Sequence, residues 1–159
     1  VPGRTSSNIT PETVVRLATS CDNIIGVKEA AGDLVQAMKL INSVPDGFLV
    51  ISGDDMIALP MTLAGGSGVI SVLGQAYPKE FSEMIRLGLQ KNTEAAFQTH
   101  YQMMGVVDLI FEEGNPVGIK ALMMLLADVK TTIQVRLPLV SASDVLLQKL
   151  EKFTHAFCE

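Results

Sequence analysis

The stretch that decides the fold is Ile24-Ile25-Gly26-Val27-Lys28-Glu29-Ala30-Ala31-Gly32. Its apolar first four residues predict a short buried strand. Lys28 follows at the C-terminal end of this strand, where parallel α/β folds keep their reactive groups. We expect its ammonium to be poorly solvated there, so that part of it is free amine, which can form a Schiff base with a carbonyl substrate. The alternative is a lysine whose side chain reaches solvent.

The pattern of a strand followed by a helix recurs on both sides of this stretch. Val1–Thr5 is interpreted as the end of a strand and a turn, and Thr10-Pro11 begins a helix. Asp33 is predicted to cap the next helix. Phe48–Ile51 and Val69–Val72 predict two further strands, each followed by a helix. Short runs of Ile, Val and Leu are typical of strands buried on both faces, so we predict a parallel sheet in an α/β fold.

The pattern changes after about Gln90, where long helical segments replace the strands. The predicted segments are a helix from Asn92 or Thr93 to about Met104 or Phe111, a helix ending at Ala127, an extended segment Thr131–Pro138, and a helix from Ser143 or Asp144 to near Phe157. We therefore divide the chain into an α/β domain, residues 1–90, and a helical C-terminal domain, residues 91–159.

Composition narrows the class of protein. The 159 residues are 48% hydrophobic and 18% charged, which predicts a globular chain, and the net charge is −5 without a basic patch. We therefore expect neither nucleic acid nor a membrane as partner, because no apolar run is long enough to span a bilayer. Cys21 and Cys158 are expected to be free thiols in a reducing cytoplasm.

Two further motifs could suggest ligand binding. Ser52-Gly53-Asp54-Asp55 contains adjacent carboxylates, but no His or Cys accompanies them, so we expect hydrogen bonding and helix capping and no metal. Gly53 is expected to leave room for a ligand. Gly65-Gly66-Ser67-Gly68 is predicted to be a helix end and a turn, because it lacks the rest of a phosphate-binding loop.

Single polar residues are weighed in the same way. Arg4 lies at the end of the first predicted strand, where a guanidinium could bind a carboxylate; the alternative is a surface arginine in a turn. His100 and His155 lie within predicted helices and are expected to be non-catalytic.

These motifs together resemble the C-terminal half of proteins of the dihydrodipicolinate synthase family. This family belongs to a superfamily of class I aldolases that includes N-acetylneuraminate lyase. The resemblance covers essentially the whole chain. The residues that support it are Val1-Pro2-Gly3-Arg4-Thr5, Ile24 to Ala30, Ser52-Gly53-Asp54-Asp55, Gly68 to Val72, Asn115-Pro116 with Lys120, and Arg136-Leu137-Pro138.

The resemblance implies a TIM barrel, of which this chain supplies the end of strand five to helix eight, followed by a helical domain, in a homotetramer. It implies that Lys28 forms an imine with pyruvate, whose enamine attacks aspartate semialdehyde in lysine (diaminopimelate) biosynthesis, without metal or organic cofactor. Arg4 would bind the carboxylate of the aldehyde substrate. The backbone of Ile70 would contact pyruvate, and Gly53 would line the same pocket.

The chain departs from the family pattern because the relay tyrosines and the threonines that bind pyruvate belong to the missing N-terminal half. Tyr77 and Tyr101 do not replace them. Half a barrel also leaves two open sheet edges and a bare interior face. We therefore expect a fragment that is inactive alone and that pairs with its missing half or self-associates. The alternatives are an N-acetylneuraminate lyase, a 2-keto-3-deoxy sugar acid aldolase, or a non-catalytic half-barrel that acts as an assembly module.

Overall fold

The computed structural model describes residues 1–126 and 134–157. They form two compact units, which are treated separately: residues 1–71 with 83–96, and residues 72–82 with those from Phe97 onward. The helices are α1 (Pro2–Thr5), α2 (Pro11–Ser20), α3 (Leu34–Ser43), α4 (Ala58–Leu63), α5 (Pro78–Leu89), α6 (Thr93–Glu112), α7 (Val117–Leu126) and α8 (Asp144–Phe157); the strands are β1 (Gly26–Glu29), β2 (Leu49–Ser52) and β3 (Gly68–Val69); Leu73–Gln75 is a 3₁₀ turn.

A parallel sheet organises the first unit, as the sequence predicted. Its strands lie in the order β1-β2-β3, with Lys28 paired with Ile51, and Ile51 in turn with Gly68. The burial of both faces that the strand composition predicts is not found within the described residues, which instead show the bare face expected of a half-barrel. In β2, Val50 is 2% exposed whereas Leu49 is 40% exposed, because helices cover only one face. The other face is open, and we call it the open face.

The helices on the covered face supply the core of the first unit. Asp33 caps α3 as predicted, because its Oδ1 accepts from the N–H groups of Val35 at 2.9 Å and Gln36 at 3.1 Å. Apolar residues at helical spacing then meet the inner side chains of the strands. The buried core cluster consists of Val14, Ala37, Leu40, Val50 and Met61.

Two predictions about strands are wrong. Val1–Thr5 is not a strand end: Pro2–Thr5 forms one helical turn, in which the N–H groups of Arg4 and Thr5 donate to the Val1 carbonyl. Pro2 favours this turn because its fixed φ suits the first helical position. The strand predicted at Val69–Val72 is shorter, Gly68–Val69, because the chain turns at Val72 into the 3₁₀ segment.

The second unit is helical, and α6, α7 and α8 agree with the predicted helices. Gly118 lets α7 lie close to α6, since an added Cβ would be 2.6 Å from Ile110 Cα. The N-terminus of α8 is fixed by Ser143, whose Oγ accepts from Leu146 N–H at 3.1 Å. Predictions for Ala127, Thr131 to Ile133 and Cys158 lie outside the described residues.

None of the helices in the described part of the chain is both long enough and apolar enough to cross a membrane.

Candidate active site at the end of strand β1

Lys28 occupies the open face of the sheet. Side chains alternate along β1, so Glu29 is buried on the covered face while Lys28 is exposed on the other. The lysine thus lies at the C-terminal end of its strand, as predicted, and away from the helices that cover the sheet. The prediction that its ammonium is poorly solvated is wrong within the described residues, because they leave the Lys28 side chain accessible to water.

Gly53 makes room for the aliphatic part of Lys28. The Gly53 N–H donates to the Glu29 carbonyl at 2.7 Å, which holds the end of β2 beside the end of β1. A Cβ added to Gly53 would lie 2.9 Å from Lys28 Cγ and 2.8 Å from the Ala30 Cβ, and it would overlap Lys28 Cε. Only glycine therefore allows Lys28 to lie across this position, and the structure brings these two predicted site residues together.

A cavity of about 290 Å³ lies beside Lys28. One wall is the end of β1, from Val27 to Ala30, and the other is the N-terminal segment, which contributes Thr5, Ser7 and Asn8 among others. Apolar and uncharged polar groups line most of it, together with the Lys28 amine and the Glu29 carboxylate. A cavity of this kind, at the carboxyl end of a parallel strand, is where α/β folds bind small ligands.

The other two predicted site residues lie outside the lining of this cavity. Arg4 is exposed on helix α1, on the same turn as the lining residues Pro2 and Thr5. Ile70 follows β3, is 51% exposed, and donates its N–H to the Ser52 carbonyl at 2.8 Å. The roles of Arg4 and Ile70 as substrate-binding residues stay predictions.

The acidic motif after β2 forms hydrogen bonds, as predicted, but they shape a turn. The predicted helix capping is wrong, because α4 begins at Ala58 with Ile57 as its N-cap and without a side-chain cap. Asp54 Oδ1 accepts from the N–H groups of Met56 at 2.8 Å and Ile57 at 3.3 Å, and the Ser52 hydroxyl donates to the Asp54 carbonyl at 2.9 Å. Asp55 is buried and bonded within the chain. No cluster of three His, Cys, Asp or Glu residues suited to a metal ion occurs in residues 1–126 or 134–157.

The glycine-rich segment before β3 is the predicted helix end and turn. The Gly66 N–H donates to the Met61 carbonyl at 2.9 Å, and the Ser67 N–H donates to the Val50 carbonyl at 2.8 Å. Its amides therefore bond to the protein's own backbone.

His100 belongs to the second unit and is held in an aromatic cluster. It is buried on α6, with its ring centroid 5.8 Å from that of Phe97, and burial lowers the pKa of its imidazole. The neutral ring is therefore favoured.

Sequence reasoning missed Ser7, Asn8 and Glu29 as residues of the cavity wall. The available signal for Ser7 and Asn8 was the run of polar residues after Arg4. This run precedes the strand and helix unit that contains Lys28. The contact between this run and β1 depends on the path of the chain around α2, which no local pattern encodes.

The sequence model of the Dihydrodipicolinate synthetase family matches residues 1–156. The chain belongs to this family. A 4-hydroxy-tetrahydrodipicolinate synthase of Flavobacterium psychrophilum is 60% identical over 154 residues, which are 97% of this chain and 52% of the relative. The enzyme of the same name from Archaeoglobus fulgidus is 40% identical over 152 residues, 96% of this chain and 52% of the relative.

Solved structures lead to the same family. A dihydrodipicolinate synthase from Thermotoga maritima superimposes with a TM-score of 0.94 at 32% identity, covering 99% of this chain and 54% of the solved one. The Aquifex aeolicus enzyme gives a TM-score of 0.90 at 31% identity, with 99% and 53% covered. The chain spans about half the length of the curated relatives it matches. It is thus an α/β chain that corresponds to about half of a TIM-barrel structure.

Proposed function

We propose that this chain contains the Schiff-base lysine of a 4-hydroxy-tetrahydrodipicolinate synthase, which condenses pyruvate with aspartate semialdehyde in lysine biosynthesis, and that Lys28 is this lysine. The supporting observation is that Lys28 lies across Gly53 beside a small cavity at the end of a parallel strand. The relatives from Flavobacterium psychrophilum and Archaeoglobus fulgidus have this enzyme's name.

The chemistry needs one amine that is uncharged part of the time. The Lys28 amine attacks the keto carbon of pyruvate, water leaves, and an imine forms. Loss of a methyl proton gives an enamine, whose carbon bonds to the aldehyde carbon of aspartate semialdehyde. The amine of that substrate then attacks the imine carbon, which closes the ring and releases Lys28. No step requires a metal or an organic cofactor.

The exposure of Lys28 in this chain leads to the second part of the proposal. A free amine at neutral pH is favoured when water is excluded, and within the described residues the open face of the sheet lacks a cover. We therefore assign to the chain the C-terminal half of the barrel, with the N-terminal half as the partner that covers Lys28. The chain alone is expected to form the imine slowly and not to complete the cycle, and the complete enzyme is expected to be a homotetramer.

Two further residues are assigned to substrate binding. Arg4 belongs to the turn α1 that contributes Pro2 and Thr5 to the cavity, and we assign to its guanidinium the contact with the carboxylate of the aldehyde substrate. Ile70 extends β3 beside the end of β2, and we assign to its backbone the contact with pyruvate.

The non-catalytic assembly module is the second candidate. The observation in its favour is the open face of the sheet, where the apolar side chain of Leu49 is 40% exposed. Such a face suits a structural contact as well as a barrel interior. The two candidates differ in one property, the reactivity of Lys28 towards pyruvate.

Reductive trapping tests the proposal directly. The chain is incubated with pyruvate and cyanoborohydride, and the modified residue is located by peptide mass spectrometry. We expect one reduced pyruvate on Lys28, and none at this site in Lys28→Ala. Lys39→Ala, which removes an exposed lysine of α3, is the matched control and should trap normally. An unmodified Lys28 at saturating pyruvate would support the assembly module instead.

Gly53→Ala provides a second variant that keeps the lysine. Its added methyl group must displace the Lys28 side chain, so trapping should slow by about tenfold or more, since small misplacements of reacting groups cost that much. Gly3→Ala is the control, because nothing lies within 4 Å of its Cβ position.

Aldehyde specificity needs a separate assay, because the sugar acid aldolases also form the pyruvate imine. The chain is combined with the N-terminal half of the Flavobacterium psychrophilum relative, and aspartate semialdehyde is offered against sugar aldehydes. Consumption of aspartate semialdehyde is the expected result, and preference for a sugar aldehyde would replace the synthase assignment by an aldolase.

A further inference from the structure

Glu29 is a buried carboxylate that the proposed chemistry does not use. It follows Lys28 in β1, is 7% exposed, and points to the covered face, where the neighbouring side chains Val27 and Val50 are apolar. Burial of a charged group is costly unless hydrogen bonds compensate it. Here the Ala31 N–H donates to Oε1 at 2.7 Å and the Gln36 side chain donates to Oε2 at 2.9 Å.

Gln36 links this carboxylate to the opposite wall of the cavity. Its Nε2 donates to Glu29 Oε2 and also to Asn8 Oδ1 at 3.2 Å, while its Oε1 accepts from Asn8 Nδ2 at 2.7 Å. An ionised carboxylate only accepts, which fixes the orientation of the Gln36 amide and leaves its oxygen for Asn8. Both polar atoms of Gln36 are therefore engaged between two separate segments of the chain.

The position of Gln36 in its helix makes its hydrogen bonds to Glu29 and Asn8 unexpected. Asp33 caps α3 and Gln36 follows three residues later, which is the spacing of a capping box. In a capping box the glutamine side chain bonds back to the N-terminal residue of the same helix. Gln36 instead bonds Glu29 and Asn8, so its side chain is committed to tertiary contacts beside the cavity.

We propose that Gln36 is a positioning residue for the Lys28 site. Glu29 and Asn8 both line the cavity next to Lys28, one in each wall, and Gln36 joins them from outside without being a lining residue itself. The network of Glu29, Gln36 and Asn8 sets the distance between the two walls and so the space available for pyruvate at the amine. This inference rests on the proposed function, since it concerns the rate at which Lys28 forms the imine.

The test compares variants of the complete chain by reductive trapping with pyruvate. Gln36→Leu removes both links, and Asn8→Ala removes only the link to the N-terminal wall. We expect the trapping rate at Lys28 to fall about tenfold in Gln36→Leu and less in Asn8→Ala. Ser43→Ala is the matched control, because the Ser43 hydroxyl bonds only the Lys39 carbonyl of its own helix, at 2.8 Å.

A rescue variant separates positioning from a general loss of packing. In Glu29→Gln combined with Gln36→Glu, the amide and the carboxylate exchange places. The new carboxylate at position 36 can accept from Asn8 Nδ2 and from the new amide at position 29. We expect this double variant to recover at least half of the trapping rate that Gln36→Leu loses. A double variant as slow as Gln36→Leu would overturn the proposal.

NMR spectroscopy distinguishes failure of this inference from failure of the proposed function. In the unsubstituted chain the side-chain amide protons of Asn8 and Gln36 should exchange slowly with water, and Gln36→Leu should accelerate the exchange at Asn8. If pyruvate never modifies Lys28, the proposed function fails. The link between the walls would still be supported if the Asn8 amide protons exchange slowly in the unsubstituted chain and faster in Gln36→Leu. Equal trapping rates and equal Asn8 exchange in Gln36→Leu and the unsubstituted chain would refute the inference.

Discussion

The two units of the chain bury different kinds of side chain. Among the described residues, the unit with the sheet buries Glu29, Ser52, Asp55 and Thr62, whereas the buried polar residue of the helical unit is His100. Glu29 and Ser52 are the last residues of β1 and β2 and are paired in the register. Polar burial is therefore concentrated where the parallel strands end, next to Lys28.

This difference predicts that substitutions in the two units have different effects on stability and on the reactivity of Lys28. The helical unit is built mostly from apolar contacts, so substitutions in its core should change stability alone. In the sheet unit, buried polar groups fix loops around an amine, and substitutions there should change reactivity as well. The following predictions test this contrast, from the largest expected effect to the smallest.

Leu150→Ala tests the apolar core of the helical unit. Leu150 on α8 is fully buried, so its truncation leaves a cavity and should lower the free energy of unfolding by about 2–5 kcal/mol. The control is Val145→Ala on the same helix, 61% exposed, with an expected change under about 0.5 kcal/mol. Urea denaturation measures both. Equal effects would show that α8 is not packed as described.

Gly118→Ala tests the close approach of α6 and α7. The added methyl group would overlap the backbone of Ile110, which cannot move as a flexible side chain can, so we expect a loss of about 1–3 kcal/mol. Gly105→Ala, also in a helix, meets only Phe153 at 3.8 Å and should stabilise by about 0.5–1 kcal/mol. Thermal unfolding should therefore shift in opposite directions for the two variants.

Val50→Ala and Leu49→Ala compare the two faces of one strand. Val50 is buried against the helices, and its truncation should cost about 1–3 kcal/mol in the free energy of unfolding. Leu49→Ala removes more atoms than Val50→Ala does. We nevertheless expect it to cost less than about 1 kcal/mol in the free energy of unfolding, because Leu49 lies on the open face and is 40% exposed. Chemical denaturation would contradict this if Leu49→Ala cost more, which would mean that another chain covers the open face in solution.

Glu113→Gln should change the pH dependence of stability. Hydrogen bonds from the Ser143 hydroxyl and N–H lower the pKa of Glu113, so the unfolded chain binds a proton at higher pH than the folded chain does. The stabilisation is therefore complete above the ordinary pKa of 4.5 and is lost as the pH falls through the lowered value. Unfolding temperatures of the two proteins should converge in acid. Glu151→Gln, an exposed change on α8, should show no such convergence.

Sequence reasoning predicted most elements of the fold because each has a local cause. The cap at Asp33 and the helical spacing after Thr93 are determined by neighbouring residues, and the structure agrees with them. The apolar run before Lys28 correctly predicts a strand, but β1 lies two residues later, at Gly26–Glu29. Sequence reasoning failed at Val1–Thr5, where Pro2 favours a helical turn although the segment resembles a strand end. The composition of the strands predicted burial of both sheet faces, whereas the resemblance to half of a barrel correctly predicted one bare face.

The candidate site was only partly accessible to the same reasoning. Lys28 was predicted from its place after an apolar strand, and Gly53 from its place after the next one. The contact between Lys28 and Gly53, and the link from Glu29 through Gln36 to Asn8, join residues that are up to 28 positions apart. No short-range pattern encodes such pairs.

The sequence by itself determined most of the order of strands and helices, the family resemblance and the choice of Lys28 as the candidate amine. These properties depend on side-chain periodicity and on motifs within a few residues of each other. Only the tertiary structure decided that Lys28 lies on the open face, across a glycine and beside a cavity whose two walls Gln36 joins. The physical reason is that parallel strands bring distant segments to one edge of a sheet, so the contacts made there depend on the path of the whole chain.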